Sequence, residues 1–170
     1  MRPPSLQIQS VEETFGQHGW HCDFVEGRDV LRALFTGHHT RIEIIAQAYP
    51  PMNALAVLGE MELPTDDDHR LTMLELLAHA NKLLNLGGFE YDLDRQRLVF
   101  RITNLFEREK YDSSIVSSMV HCAVAEIDRL APYTAIINRT APDLLDDLDL
   151  PLLLSRDDLL PPVPGDEDVI

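Results

Sequence analysis

Cysteine is scarce in this sequence: Cys22 and Cys122 are the only two in 170 residues. A fold stapled by disulfides is thereby excluded, and so few thiols fit a reducing compartment. Basic residues are scarce too, 14 Lys and Arg against 29 Asp and Glu, which leaves a net charge of −15. Nucleic acid and anionic membrane surfaces both recruit clustered Lys and Arg, so neither is expected as a main partner. Long apolar runs are missing. The longest strictly apolar stretches, such as Ala54 to Leu58, reach about a quarter of a membrane span. The first residues, Met1-Arg2-Pro3-Pro4-Ser5, lack the apolar core of a signal peptide, and the expectation is a cytoplasmic protein.

Motifs that carry chemistry are missing as well. Gly87-Gly88 follows a helix and precedes a strand, the reverse of a phosphate-binding loop. There is no Gly-x-Ser-x-Gly elbow, no His-Glu-x-x-His and no paired Cys-x-x-Cys. His18, His21 and Cys22 lie close together, as do His38-His39 and His121-Cys122. Zinc needs three or four converging ligands, whereas neighbours on a strand point to opposite faces. These groups therefore read as scattered surface histidines and small buried thiols. Asp66-Asp67-Asp68 reads as a helix cap, and Asp92 and Asp94 flank an exposed turn that desolvates neither carboxyl. No catalytic residue, metal or cofactor is expected.

What is present is enough apolar material for a core. The apolar fraction is 45%, and a chain of this size buries about 68–70% of its unfolded surface. One domain is expected over residues 1–138, followed by an acidic, Leu- and Pro-rich tail over residues 139–170. Between Pro142 and Ile170 there are nine Asp or Glu and one Arg, so this stretch carries eight of the 15 net negative charges. Acid and Leu alternate there without a sustained period, and Pro151, Pro161, Pro162 and Pro164 interrupt any long helix. Such a segment is either a solvated tail or one whose leucines cover an apolar groove that partners use.

In the body, Ile8, Val11 and Phe15 recur at helical spacing, with Ser10-Val11-Glu12-Glu13 matching a capping box; Gly16 and Gly19 place the end near His18. Strand-like runs follow at Cys22 to Val25, Val30 to Phe35, Arg41 to Tyr49 and Asn53 to Leu63. Their short links imply an antiparallel meander. A second helix opens at Asp66-Asp67-Asp68 and stops at Gly87-Gly88. Met73, Leu76, Leu77, Ala80, Leu83 and Leu84 form one apolar stripe along it. A second stripe holds Leu71, Leu74 and Ala78, interleaved with Asn81 and Asn85. One stripe serves the sheet; the other needs a different partner. The two asparagines either bond to a nearby loop or strand end, or fix register in an interface. An alternating hairpin follows, turning at Asp94-Arg95-Gln96. A third helix, capped by Ser113 and Ser114, runs to about Leu130 or Ala131, with His121, Asp128 and Arg129 on its polar side and a short extra turn from Pro132. The fold class expected is α+β: helices on an antiparallel sheet, in the order α-β-β-β(-β)-α-β-β-α.

Several strings are similar to the YbjN-like domain family, described as bacterial sensory transduction regulators and related in fold to type III secretion chaperones. They are Phe24-Val25-Glu26-Gly27, Arg41 to Tyr49 with Pro50, Ala80-Asn81-Lys82-Leu83-Leu84-Asn85-Leu86-Gly87-Gly88-Phe89-Glu90-Tyr91-Asp92, and Leu98-Val99-Phe100-Arg101. The likeness covers roughly Leu6 to Ile137 and leaves the tail outside. It implies a homodimer with an acidic surface and no catalytic residues, and no functional residue of the family carries over. The chaperone relatives bind extended segments of client proteins. The expectation is thus a non-enzymatic, chaperone- or adaptor-like module that binds a protein client, with Leu71, Leu74, Ala78, Asn81 and Asn85 at or near the dimer contact. The alternative is a regulatory domain that senses a small ligand held between sheet and helices.

Overall fold

A computed structural model describes residues 3–156; the tail prolines Pro161, Pro162 and Pro164 lie outside the described residues. Helix α1 (Leu6–Gln17) leads into β1 (Asp23–Phe24), β2 (Val30–Thr36), β3 (Arg41–Tyr49) and β4 (Ala54–Glu62). Helix α2 (Asp67–Leu83), the hairpin β5 (Gly88–Asp92) and β6 (Arg97–Leu105), and the long helix α3 (Ser113–Arg139) complete the body. The expected α+β class and element order are present. The six strands form one antiparallel sheet in the order β1-β2-β3-β4-β6-β5.

Register follows from the alternation of side chains. Ile42, Ile44, Ala46 and Ala48 of β3 all point inward, opposite Met61, Gly59, Val57 and Leu55 of β4. With Leu98 and Phe100 of β6 they meet Ile8, Val11 and Phe15 of α1, Met73 and Leu76 of α2, and Val120 and Ile127 of α3 in a single core. The other face of the sheet carries outward positions such as Arg32, Leu34, Glu62 and Thr103, all exposed. No helix among the described residues is long and apolar enough to cross a membrane.

Local details differ from the sequence reading where a distant partner intervenes. Ser5, not Ser10, caps α1, its hydroxyl accepting the Ile8 N–H at 3.3 Å. Ser10 lies buried inside the helix, donating to the Gln7 carbonyl and accepting the Tyr111 N–H at 3.0 Å, a partner 101 residues away. Asp112, one residue before the expected serines, caps α3 through bonds from the Ser114 and Ile115 N–H groups. Helix α2 ends at Leu83, with Leu84 already extended, so Gly87 is not its stop; Gly87 takes a left-handed φ of 72° in the turn into β5. Helix α3 continues through Pro132 to Arg139. The core residues Leu130, Ala131, Tyr133 and Ile137 flank that proline, and their burial outweighs the single hydrogen bond it removes. Asp128 is 7% exposed rather than on a polar side, because its carboxylate accepts the backbone N–H groups of His38, His39 and Thr40 in the β2–β3 turn.

Candidate functional site

Helix α2 places two different faces side by side. Met73, Leu76, Leu77 and Ala80 are buried under the helix. Leu71 is 67% exposed and Leu74 39%, and Ala78 and Asn81 are exposed beside them. Leu83, on the margin of the other stripe, and Leu86, in the turn after the helix, are 61% and 67% exposed as well. Asn85 falls in the turn after α2, so it is separated from the helical stripe. Asn81 is occupied within the chain: its amide donates to the Phe89 carbonyl at 3.1 Å and its oxygen accepts the Phe89 N–H at 2.7 Å. It thus clamps the start of β5 to α2. Leu71, Leu74 and Ala78 are left as apolar groups facing water.

The first part of the acidic segment packs on the body. A 3-10 turn (Pro142–Asp147) and a short helix, α4 (Leu150–Leu154), run along α2. Leu145, Leu150 and Leu154 join the core at 5–6% exposure, and Leu148 and Leu153 pack against its margin. The intervening Asp143, Asp146, Asp147 and Asp149 face solvent. Alternation of acid and Leu therefore resolves into an inner side of Leu145, Leu150 and Leu154 and an outer side that carries the acids together with exposed Leu144 and Leu152.

Two polar arrangements had little signal in sequence. Glu60 on β4 is only 3% exposed, yet it lies on the sheet face away from the helices. Arg95 approaches it at 3.1 Å and Arg97 at 3.5 Å; Arg97 also reaches Glu43 at 3.1 Å, and Glu43 meets Arg32 at 3.4 Å. Buried charge is tolerated when paired, and here pairing runs as a ladder across the strands. Beside it lies an open groove of about 1020 Å³, lined among others by Phe24, Leu34, Arg41 and Glu62. The second arrangement is His69, described further below; only its spacing of three from Asp66 was visible in the sequence.

The histidine–cysteine groups separate. His18 stacks on Trp20 with ring centroids 4.5 Å apart, and His121 meets the edge of Trp20 at 5.1 Å. His38 and His39 sit in the β2–β3 turn. Cys22 and Cys122 are free and half-buried, and burial pushes both thiols up, away from the reactive thiolate. Among the described residues no three His, Cys, Asp or Glu are grouped to hold a metal ion, and every buried side-chain N or O has a hydrogen-bond partner.

Comparison with known proteins gives three findings. The YbjN family, whose description reads "Putative bacterial sensory transduction regulator", matches residues 7–134. The crystal structure of YbjN, titled "a putative transcription regulator from E. coli", is similar in fold: the TM-score is 0.55 at 9% identity, covering 76% of this chain and 91% of that one. The structure of the HopA1-SchA chaperone-effector complex contains a chain with a TM-score of 0.49 at 12% identity, covering 73% of this chain and 91% of that one. No curated protein matches the sequence.

Proposed function

Since the chain belongs to the YbjN family, we propose that it is a non-enzymatic regulator that works by binding a protein client, chaperone- or adaptor-like, as a homodimer in the cytoplasm. The observation that carries this reading is the exposed apolar stripe of α2, Leu71 and Leu74 with Ala78 beside them. Apolar side chains aligned on a helix whose opposite face is already buried are a ready contact for another protein. A stable dimer buries roughly 1,200–2,000 Å² in total, within reach of a helix and its flanking turn from each protomer. The family description as a regulator fits a role exercised through binding. Leu71, Leu74 and Ala78 would lie at the contact, with Asn81 and Asn85 at its margin.

Analytical ultracentrifugation at micromolar concentration tests the reading. A dimer that shifts toward monomer on Leu74→Asp is the expected result. A wild-type monomer removes the dimer, and a dimer indifferent to Leu74→Asp moves the contact away from α2.

Small-ligand sensing keeps one feature in its favour. A cleft of about 700 Å³ opens between the β2–β3 turn and the end of α3, lined by His39, Pro64, Thr134, Asn138 and Arg139 among others, and ligand sites commonly enclose about 300–1,000 Å³.

A further inference from the structure

His69 is 7% exposed at the first turn of α2, and both of its ring nitrogens face acceptors. Nδ1 lies 2.6 Å from Asp66 Oδ1, and Nε2 lies 2.8 Å from the backbone carbonyl of Thr140. A carboxylate and a carbonyl can only accept. A neutral imidazole has one N–H to give, so the imidazolium alone satisfies both contacts. The Thr140 carbonyl and Asp66 accordingly hold the His69 pKa above its ordinary value against the opposing effect of burial. The charged groups at the ends of the elements meeting there are Asp66, Asp67, Asp68 and Arg70 at the start of α2, Arg139 at the end of α3, and Asp143, Asp146 and Asp147 in the 3-10 turn. Of these, Asp66 bonds to the ring and Asp68 adds its field, while Arg70 is engaged by Asp67.

Thr140 is the residue where α3 ends and the acidic segment begins. Beyond it the hydrogen bonds are local ones: Leu144 N–H to the Ala141 carbonyl, Leu148 N–H to Leu145, Leu153 N–H to Asp149, and Leu152 N–H to the Asp149 carboxylate. Buried leucines hold the segment against α2, and the His69 bond ties down its root. The segment also lies past residue 134, where the family match ends. Leu145, Leu150 and Leu154, with Leu148 and Leu153 at the margin, and one titratable bond at the root thus fasten residues 141–155 to the body.

We propose that residues 141–155 are a strap latched at its root by protonated His69, and that the α2 face beneath it docks a partner segment of the strap's own acidic, leucine-rich kind once the strap lifts. What the opened face is for rests on the protein-binding reading; the opening does not. The latch is complete below the unfolded His value of about 6.5 and is lost as pH rises through the raised folded value, because deprotonation leaves one acceptor without a donor. The strap closes in acid and opens toward alkaline pH.

Hydrogen exchange of the full chain tests this between pH 6 and pH 9, with protection factors corrected for the intrinsic rate and circular dichroism checking the fold. Protection over residues 141–155 should fall about tenfold as pH rises, the equivalent of roughly one lost hydrogen bond. His69→Gln should give low protection with no pH dependence, and Asp66→Asn should move the transition to lower pH. Leu150→Ala, which loosens the strap without touching the latch, should lower protection and keep the pH slope. Flat protection in the wild type, or an unchanged slope in His69→Gln, overturns the latch. A labelled peptide of residues 141–155 added in trans should bind the full chain more tightly at pH 9 than at pH 6. Absence of binding where exchange shows the strap open overturns the docking face. Neither readout depends on the oligomeric state, so their failure is distinct from failure of the dimer.

Discussion

Asp128 on α3 accepts the backbone N–H of His39 at 2.8 Å, across 89 residues of chain. The same carboxylate takes the His38 and Thr40 N–H groups at 3.0 and 3.2 Å. The β2–β3 turn satisfies the Gly37 N–H internally, through the Thr40 carbonyl at 2.9 Å, and borrows an acceptor for the other three donors from the helix packed over it. Gly37 is part of the arrangement: a Cβ there would collide with the Asp128 carboxylate.

Asp128→Ala should cost about 2–4 kcal/mol, since it leaves partly buried N–H groups without their charged acceptor. Urea denaturation measures it. Asp128→Asn, which retains an accepting oxygen, should lose less. A cost below the noise of the measurement would mean that water replaces the carboxylate at no loss.

Gly87→Ala should destabilise by about 1–3 kcal/mol, through left-handed strain added to a clash. The φ of 72° disfavours any L side chain, and a Cβ would sit 2.5 Å from Phe100 Cζ and 2.7 Å from the Arg101 carbonyl oxygen. Thermal unfolding provides the check. An unshifted midpoint would show that β5 can draw away from β6 at that end.

Tyr111 predicts the alkaline limit. Its hydroxyl donates to the Ala54 carbonyl at 2.9 Å, its ring stacks on Phe106 at 4.1 Å, and burial pushes its pKa up to about 12. The unfolded value is about 10, so the stabilisation is whole below that pH and is lost as pH climbs toward the folded value. Ultraviolet difference absorbance should contain a late ionisation step near pH 12 from Tyr111, and stability should drop as pH climbs toward it. Tyr111→Phe should remove the late step and cost about 1 kcal/mol at neutral pH.

How far the sequence could be read depended on the range of the interaction. The bounds of β3, the hairpin turning at Asp94-Arg95-Gln96 and the buried stripe of Met73, Leu76, Leu77 and Ala80 were legible, because side-chain period and turn chemistry are local. The caps of α1 and α3 were misplaced by a few residues because several neighbouring Ser and Asp are chemically able to cap, and tertiary bonds choose among them. Asn81 stood out as an amide in an apolar stripe, and the reading that it bonds to a strand end proved to be the one realised. Its four neighbours in the proposed contact are positioned by the fold without being assigned a partner by it.

By itself the sequence determined the class: alternation wrote the strands, and helical spacing wrote the faces of α2. Tertiary structure decided which polar groups lie inside. Asp128, Glu60, Ser10 and His69 look like ordinary surface residues in a linear reading, and each is buried by a partner between 35 and 101 residues away. It also decided that α3 passes through Pro132 and that the first part of the acidic segment runs along α2 with Leu145, Leu150 and Leu154 buried. The reason is physical. A periodic pattern reports a surface that one element buries by itself, whereas a paired buried charge depends on two elements meeting, and no spacing along the chain encodes that meeting.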